Sequence, residues 1–381
     1  MDEAKNLWEV KICDDLDDED LQAVADFFNE YFPGVFFPIS SPDLWRWKLG
    51  PSNPSGRGFL TVAFADGRVV GTTSGTRQRI RLNGESVNAM EIGDTFTHPD
   101  FRRSGHAKKN YSGTTDENDY LNKSIFGRLV TETLDRAALA GVQYVFGTPN
   151  LNSRAPYLAK LGFSEVGYGS VRAWNLITPR YAAKSGHKYL LGALSKILRG
   201  YVLAYSTRSR RKIIMSESPF DLVTASLESD QRSVSSVLYD KGSFSFELDR
   251  EFYEYRYLRH PSHKYRYFQI ERNGKQIGWM ICTLLERSSG RETLVISDWI
   301  AFNSSFVSHL PIFVFMITPN FPESEVTSIW ASNSKVKKSE WFRRGFFSSK
   351  EVSIIERSLD PKQNWTAKKV DDFRFGWSDN G

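Results

Sequence analysis

The chain has 381 residues, enough for two domains that each bury a hydrophobic core. Its content of 14% aromatic and 25% charged residues excludes a disordered protein. The 50 basic residues exceed the 45 acidic ones by only 5, a balance that suits a phosphate-bearing substrate and argues against a dense nucleic-acid-binding face.

Cysteine content and hydropathy indicate the compartment. The two cysteines, Cys13 and Cys282, form neither a zinc motif nor a disulfide framework, as is typical of a reducing cytoplasm. The start of the chain, Met1–Glu3, carries no apolar signal core, and no segment reaches the roughly 20 apolar residues that span a bilayer. We therefore expect a cytoplasmic protein without a transmembrane segment and without a bound metal.

The first predicted elements are a short helix and a β-hairpin. Leu44–Leu49 is aromatic and basic, and we interpret Trp45–Lys48 as helix packing, with stacking on a sugar or base as the alternative. Leu60–Gly71 predicts two apolar strands. They are joined by Asp66 and Gly67, a pair favoured in two-residue turns because both positions tolerate positive φ.

The next segments predict a strand that ends in a basic turn. Met90–Phe96 has strand character, Pro99 stops it, and Arg102–Ala107 has the pattern R-x-x-G-x-A. Because glycine lacks a Cβ, backbone N–H groups of such a turn can close on a phosphate, and the arginines add complementary charge. A solvated surface turn is the alternative interpretation.

An amphipathic run, Ile125–Leu139, predicts a long helix, but the polar residues 106–124 separate it from the turn. Two threadings stay open. Either the helix begins at Gly105 and is interrupted, or it begins near Ser124, which is then its N-cap. Under the second threading the turn no longer lies at the helix start, which puts cofactor binding in doubt. We interpret the insertion either as a lid over the substrate or as a segment that disables cofactor binding.

A second strand and helix follow. Val142–Gly147 is β-branched and aromatic, which predicts a buried strand. Beyond it we expect Asn152 or Ser153 to cap a short helix, with Pro156 in its first turn and Gly162 at its end.

The strand with its basic turn, followed by the second strand with its short helix, resembles the GNAT superfamily of coenzyme A-dependent N-acyltransferases. Arg102–Ala107 is similar to the pyrophosphate-binding motif of that family, and Asn152–Phe163 to its Asn…Tyr…Lys-x-Gly-Phe motif. The resemblance implies an α/β (α+β) fold with mixed central sheets flanked by helices. It also implies that acetyl-CoA, the default acyl donor, places its pantetheine arm between two splayed parallel strands. The acceptor amine then attacks the thioester directly.

The resemblance further implies catalytic roles. Asp94 is the first candidate for the base, Glu91 and His98 are runners-up, and a structural role for Asp94 is the alternative. Tyr157 is the candidate acid, although the usual spacing of the family points to Leu158, so that Tyr157 facing the core stays open.

The predicted cofactor contacts lie at the end of the first strand, in the basic turn and in the second motif: Phe96, Thr97, Arg102, Arg103, Ser104, Gly105, His106, Ala107 and Asn152. The C-terminal Trp377–Asn380 is similar to a tail found in tandem GNAT proteins near polysaccharide pathways. We hypothesise that this tail reaches the N-terminal cleft and supplies the Asp379 carboxylate.

The second half of the chain echoes the first. Phe252–Leu258 precedes another hairpin with an Asn-Gly turn, Asp298 corresponds to Asp94, and Arg343–Phe346 corresponds to the K-L-G-F ending. The R-x-x-G-x-G/A pattern does not recur there. We therefore predict two tandem GNAT-like domains: an acyl-CoA-binding domain at 1–180, a helical linker with a basic cluster at 181–215, and a degenerate domain at 216–381.

The sequence predicts an enzyme, an N-acyltransferase that acetylates the amine of a small polar acceptor. The resemblance points to an amino sugar, free or nucleotide-linked, in polysaccharide biosynthesis. A Fem-type aminoacyl or peptidyl transferase, which uses charged transfer RNA, is one alternative, and the retained turn argues against it. A GNAT-like binding module without catalysis is another. We expect no nucleic-acid partner, and a homodimer stays open.

Overall fold

The computed structural model describes residues 9–12, 17–32, 40–102, 124–178, 180–181, 213–227, 243–286, 290–302, 304–332, 336–367 and 369–370. The chain divides into two compact units: Met1–Val166 with Ser353–Lys368, and Gly167–Val352 with Lys369–Gly381. Both units are mixed α/β, with a sheet and flanking helices.

The first unit contains, in chain order, β1 (Glu9–Ile12), α1 (Asp18–Tyr31), α2 (Pro42–Leu49), β2 (Phe59–Ala65), β3 (Arg68–Leu82), β4 (Glu85–Thr97), a 3₁₀ turn (Pro99–Phe101), α3 (Ile125–Leu139), β5 (Tyr144–Gly147) and α4 (Leu151–Lys160). Its strands lie in the order β1, β2, β3, β4, β5. Neighbouring strands are antiparallel except β4 and β5, which run parallel.

The last strand of this sheet comes from the far end of the chain. The second half of β13 (Phe347–Ser358) belongs to this unit, and its residues 355–358 pair antiparallel with β5. The strand β6 (Ser164–Ile177) leaves the first unit after Val166, and its later residues pair with β12 (Val326–Ser332) in the second unit. The predicted domains, bounded at residues 180 and 216, follow the order of the sequence and therefore do not include residues 353–368 in the first unit.

Helices cover both faces of the first sheet. Leu60 and Val62 of β2 pack in a cluster with Phe28 of α1 and Trp45 of α2. Thr61 lies between them in sequence and therefore points to the opposite face. There its Oγ1 lies 2.8 Å from Oγ1 of Thr133 in α3. Helices α1 and α2 thus cover one face, and α3 covers the other.

Helix α3 begins at Ile125, and residues 103–123, which distinguish the two threadings, lie outside the described residues. Ser124 is the N-cap, and its Oγ accepts a hydrogen bond of 3.0 Å from the backbone N–H of Gly127. The start of the helix lies close against Gly71 in β3, because a Cβ at that position would collide with the side chain of Ile125. The absence of a side chain at Gly71 thus lets α3 approach the sheet.

The predicted start of α4 is wrong. Asn152 and Ser153 lie inside the helix, and the N-cap is Asn150, whose Oδ1 accepts from their backbone N–H groups at 2.9 and 3.0 Å. Asn150 has an extended backbone after β5, so its short side chain reaches both donors. Pro156 consequently lies within the helix rather than in its first turn. Gly162 follows the helix as predicted, with a positive φ of 67°.

The second unit contains β7 (Ile213–Ser218), α5 (220–227), β8 (Ser243–Phe246), α6 (Arg250–Tyr253) continued by a π-helix (Glu254–Leu258), β9 (Tyr265–Arg272), β10 (Lys275–Glu286), β11 (Glu292–Ala301), α7 (Ser304–Ser308), α8 (Leu310–Ile317), a 3₁₀ turn (Thr318–Asn320), β12, α9 (Lys338–Phe342) and β14 (Lys369–Val370). Its sheet has the order β6, β12, β11, β10, β9, β7. The pair β11 and β12 is parallel, as β4 and β5 are in the first unit.

The internal repeat is visible in the turns. Both predicted two-residue turns, Asp66–Gly67 and Asn273–Gly274, have positive φ at every position, between 49° and 73°. Gly345 has a φ of 80° at the position that matches Gly162. Most of the predicted linker, residues 182–212, lies outside the described residues. Of the helices in the described ranges, none has the length and apolar character needed to cross a bilayer.

Candidate functional site

The central parallel strands of the first unit part at one point. Pairing between β4 and β5 ends at Glu91 and Phe146, while β4 continues for six residues to Thr97. At the end of β5 the two backbones are close, because a Cβ on Gly147 would lie 2.9 Å from the carbonyl oxygen of Ile92. Among the described strands, none pairs with this edge of β4 beyond Glu91. Its backbone donors and acceptors can therefore serve a ligand.

A β-bulge interrupts β4 on its other edge. Thr72 of β3 pairs with Phe96, but Ser74 pairs with Gly93, so β4 has one extra residue between these partners. Asp94 lies in the bulge with φ 46°, a left-handed conformation that is uncommon outside glycine. The hydroxyl of Thr72 donates to the Asp94 carbonyl oxygen at 2.7 Å and so holds the bulge.

The side chain of Asp94 is an anchored carboxylate. Its Oδ2 accepts a 2.6 Å hydrogen bond from Ser74 Oγ and forms an ion pair with Nζ of Lys48 from α2. Only 4% of the Asp94 side chain and 8% of the Lys48 side chain are exposed. Phe96 packs against the same α1 and α2 cluster, so Asp94 and Phe96 share a face of the sheet.

Tyr157 lies on the other face of β4. Its hydroxyl is 2.9 Å from Oγ1 of Thr95, and its ring packs edge-on against Phe126 and Phe163 at centroid distances of 5.2 and 5.0 Å. Thr95 Oγ1 also donates to the Gly93 carbonyl at 3.2 Å, and in the contact between Thr95 and Tyr157 either hydroxyl can be the donor.

Burial strengthens the preference of Tyr157 for its protonated form. Desolvation raises the pKa of the Tyr157 hydroxyl, and the charge of Asp94 raises it further, against a lowering by the Thr95 hydrogen bond. The hydroxyl is therefore protonated at neutral pH. A buried, protonated phenol can donate its proton to an anion that forms beside it.

The two alternative bases occupy different surroundings. Glu91 is 1% exposed and lies in register with Thr76 of β3 and Phe146 of β5. His98 follows β4; its backbone N–H donates to the Val70 carbonyl, and its Nδ1 accepts from the backbone N–H of Asp100 at 3.1 Å. Glu91 is thus within the sheet, whereas His98 lies at its rim.

The predicted cofactor contacts are only partly described. Arg102 is exposed, its Nε donates to the Thr97 carbonyl at 2.9 Å, and its guanidinium lies 4.9 Å from the centre of the Phe96 ring. Oγ1 of Thr97 is buried and has no hydrogen-bond partner in the part of the chain that the structure describes. Asn152 is exposed near the start of α4. Arg103, Ser104, Gly105, His106, Ala107 and Asp379 lie outside the described residues.

Lys48, Ser74 and Thr95 contact the candidate residues Asp94 and Tyr157, and none of the three was proposed as a site residue from the sequence. The sequence analysis did note the aromatic and basic helix that contains Lys48, but nothing in that helix indicated a contact with Asp94. Trp45 of that helix is 2% exposed and its Nε1 donates to Ser40 Oγ at 2.9 Å, so its role is packing, the interpretation favoured from the sequence.

The second unit repeats this arrangement with different chemistry. Asp298 is fully buried beside a register shift in the β10–β11 pair, and its Oδ2 accepts a 2.9 Å hydrogen bond from the Tyr257 hydroxyl. Tyr257 belongs to the helical segment that corresponds to α2. Trp341 takes the position of Tyr157, because it packs edge-on against Phe346 at 5.0 Å as Tyr157 does against Phe163.

Comparisons with known proteins identify the fold. Residues 13–166 match the family model described as "Acetyltransferase (GNAT) domain". No curated protein sequence matches the chain. The chain has a tandem GNAT fold, with mixed α/β sheets flanked by helices, which confirms the predicted fold class.

Solved structures share this fold at low sequence identity. A tandem GNAT protein from the clavulanic acid biosynthesis pathway has a TM-score of 0.56 at 12% identity, over 93% of this chain and 100% of that one. The N-myristoyltransferase of Saccharomyces cerevisiae, with bound myristoyl-CoA, has a TM-score of 0.57 at 11% identity, over 97% and 89%. A GCN5-related N-acetyltransferase from Anabaena variabilis has a TM-score of 0.53 at 11% identity, over 93% and 73%.

Proposed function

We propose that the first unit transfers an acyl group from acyl-CoA, acetyl-CoA by default, to the amine of a small polar acceptor. We propose an amino sugar, free or nucleotide-linked, as that acceptor, since the net charge of +5 suits a phosphate-bearing substrate. The observation that carries the proposal is the free edge of β4, flanked by Asp94 on one face and Tyr157 on the other.

The described residues fit an extended ligand along β4. The strand has backbone groups beyond Glu91 that β5 does not take up, and the buried Oγ1 of Thr97 at the end of the strand has no hydrogen-bond partner among the described residues. A pantetheine amide placed there satisfies such groups, which are costly to leave unpaired. We assign the diphosphate to the basic turn that begins at Arg102, which is held near the strand by Thr97 and Phe96.

Acyl-CoA supplies a thioester, whose carbonyl carbon forms a bond with the amine nitrogen as its bond to sulfur breaks. Tyr157, whose hydroxyl burial keeps protonated, donates its proton to the departing thiolate. Asp94 is the proposed acceptor of the proton that the amine loses, and Glu91 is the second choice. Thr95 holds the Tyr157 hydroxyl against β4.

Cofactor binding is the first test. Thermal unfolding is measured with and without acetyl-CoA, which at 100 times its dissociation constant stabilises a folded protein by about 2.7 kcal/mol. Gly105→Glu is the matched variant, because a carboxylate in the turn repels the diphosphate. We expect the variant to unfold at the wild-type temperature without ligand and to lose the shift.

Turnover is the second test. Release of free thiol and mass spectrometry of the acceptor are followed for a panel of amino sugars and their nucleotide-linked forms. Binding of acetyl-CoA without transfer to any amine would support a binding module instead. Transfer only from charged transfer RNA would support the Fem-type alternative. Deletion of residues 377–381 tests Asp379: unchanged turnover in a folded variant rules out that carboxylate.

A further inference from the structure

The hydroxyl group of Thr95 lies between two partners in the first unit. Its oxygen is 2.9 Å from the Tyr157 hydroxyl and 3.2 Å from the Gly93 carbonyl oxygen, to which it donates. A threonine hydroxyl has one proton and two lone pairs. It can therefore accept from Tyr157 while it donates to Gly93, or turn its proton and donate to Tyr157, without moving its oxygen.

The course of β4 fixes this position. Phe96 packs with α1 and α2 on one face of the sheet, so Thr95, the residue before it, points to the opposite face. Tyr157 lies on that face, where its ring has edge contacts with Phe126 and Phe163. Only 3% of Tyr157 is exposed. Packing thus holds the two hydroxyl oxygens together in a buried place.

Transfer of the Tyr157 proton leaves a phenolate there. A buried anion is costly unless a hydrogen-bond donor compensates it. Burial and the charge of Asp94 both raise the pKa of the Tyr157 hydroxyl and so oppose the phenolate, whereas the hydrogen bond with Thr95 lowers that pKa. Of the described residues that act on this hydroxyl, Thr95 is the one that favours the anion.

We infer that Thr95 is a positioning residue of the acyl-transfer site, whose hydroxyl accepts from Tyr157 before transfer and donates to the Tyr157 phenolate afterwards. This inference rests on the proposed function. As the amine nitrogen bonds to the carbonyl carbon and the carbon–sulfur bond breaks, the Tyr157 proton passes to sulfur. The Thr95 proton then turns from the Gly93 carbonyl to the phenolate oxygen. The phenolate regains a proton from water once the thiol has left.

The experiment compares kcat and KM of the wild type, Thr95→Val and Thr95→Ser, measured by release of thiol at varied acetyl-CoA. Valine replaces the hydroxyl by a methyl group of similar size. Because a hydrogen bond to a charged group is stronger than a neutral one, we expect Thr95→Val to lower kcat by about 10- to 100-fold and to keep the KM for acetyl-CoA. Serine retains the hydroxyl, so Thr95→Ser should recover most of the lost kcat.

Thr133→Val is the matched control. Oγ1 of Thr133 also has a hydroxyl partner, that of Thr61 at 2.8 Å, and also donates to a backbone carbonyl, that of Leu129 at 2.9 Å. Either valine variant therefore removes two hydrogen bonds of the same kinds, but the partners of Thr133 have no part in the proposed transfer. We expect Thr133→Val to lower the melting temperature and to keep the wild-type kcat.

A purely structural role for Thr95 predicts a lower melting temperature with the wild-type kcat in the folded enzyme, and that result overturns the inference. An equal loss of kcat in Thr133→Val, or a loss that Thr95→Ser does not recover, also overturns it. If the wild type transfers no acyl group, the proposed function fails and the inference with it. If Tyr157→Phe slows transfer and Thr95→Val does not, the inference alone fails.

Two further variants keep the test decisive where Thr95→Val does not fold. Thr95→Ala removes the hydroxyl and puts no methyl group in its place, and we expect a lower kcat here too; a wild-type kcat in Thr95→Ala contradicts the inference. Thr95→Ala combined with Tyr157→Phe is compared with Tyr157→Phe alone. If Thr95 acts through Tyr157, both proteins have the same kcat, whereas a further loss of about tenfold shows that Thr95 acts independently, against the inference.

Discussion

Tyr157→Phe separates catalysis from packing, because it removes one oxygen and leaves the ring in place. The hydroxyl makes one neutral hydrogen bond to Thr95, which contributes about 1 kcal/mol to the free energy of unfolding. Thr95 keeps its bond to the Gly93 carbonyl, and the ring keeps its edge contacts with Phe126 and Phe163. We therefore expect the variant to lose only about 1 kcal/mol of stability.

The expected effect on the rate is larger. Loss of a positioned general acid lowers kcat by about 10²–10⁴, which corresponds to about 3–5 kcal/mol in activation free energy. Initial rates of thiol release at saturating acetyl-CoA measure kcat, and the thermal shift shows that acetyl-CoA still binds. Tyr267→Phe is the control: it removes the buried hydroxyl that donates to the Tyr257 carbonyl, at a similar cost in stability. Equal kcat for the wild type and Tyr157→Phe would refute the proposed proton donor.

Three further predictions concern stability. Burial raises the pKa of Glu356, so the folded state holds that proton more tightly than the unfolded state, and stability falls as pH rises from 4.5 through the folded-state pKa. The free energy of unfolding in urea, measured at several pH values, should therefore increasingly favour Glu356→Gln over the wild type as pH rises. A difference that does not change with pH contradicts this. A fragment of residues 1–180 lacks the strand 353–358 and should unfold on heating without a cooperative transition. Fusing residues 353–368 to this fragment through a short linker should restore the cooperative transition, and circular dichroism measures both melting curves. The added Cβ of Gly278→Ala overlaps a backbone carbonyl, whereas the added Cβ of Gly71→Ala meets side chains. Denaturant unfolding should therefore show that each variant loses about 1–3 kcal/mol in free energy of unfolding, with the larger loss for Gly278→Ala.

Local signals in the sequence predicted much of the fold. The period of apolar residues gave the bounds of helix Ile125–Leu139, and the chemistry of the Asp-Gly and Asn-Gly turns gave both hairpins. These signals act over a few residues, so they depend little on the rest of the chain. The predicted N-cap of α4 was wrong because Asn150, Asn152 and Ser153 are all acceptable caps by residue type, so the local sequence does not choose among them.

Contacts between distant segments were beyond prediction. Pairing of residues 355–358 with β5 lets the Tyr144 hydroxyl donate to the Glu356 carboxylate, 212 positions away, and no local pattern indicates such a pair. Likewise, nothing in the local sequence distinguishes Lys48 from other helix residues or Ser74 from other strand residues. Their contact with the Asp94 carboxylate depends on the bulge in β4. A motif indicates candidate catalytic groups, but the partners that hold them in place depend on the tertiary structure.

The two halves of the chain serve as an internal comparison for the site. In the second unit, the residue after the bulge aspartate is Trp299 where the first unit has Thr95, and Trp341 stands in place of Tyr157; both tryptophans belong to one buried core cluster. An indole has no proton to give to a thiolate near neutral pH, and its bulk occupies the volume beside the strand. Of the two units, the first therefore has the phenol hydroxyl and the aspartate that the proposed transfer requires, so we propose the first unit as the place of the chemistry. Activity that survives Tyr157→Phe and disappears in Trp341→Phe would place the chemistry in the second unit and invert this argument.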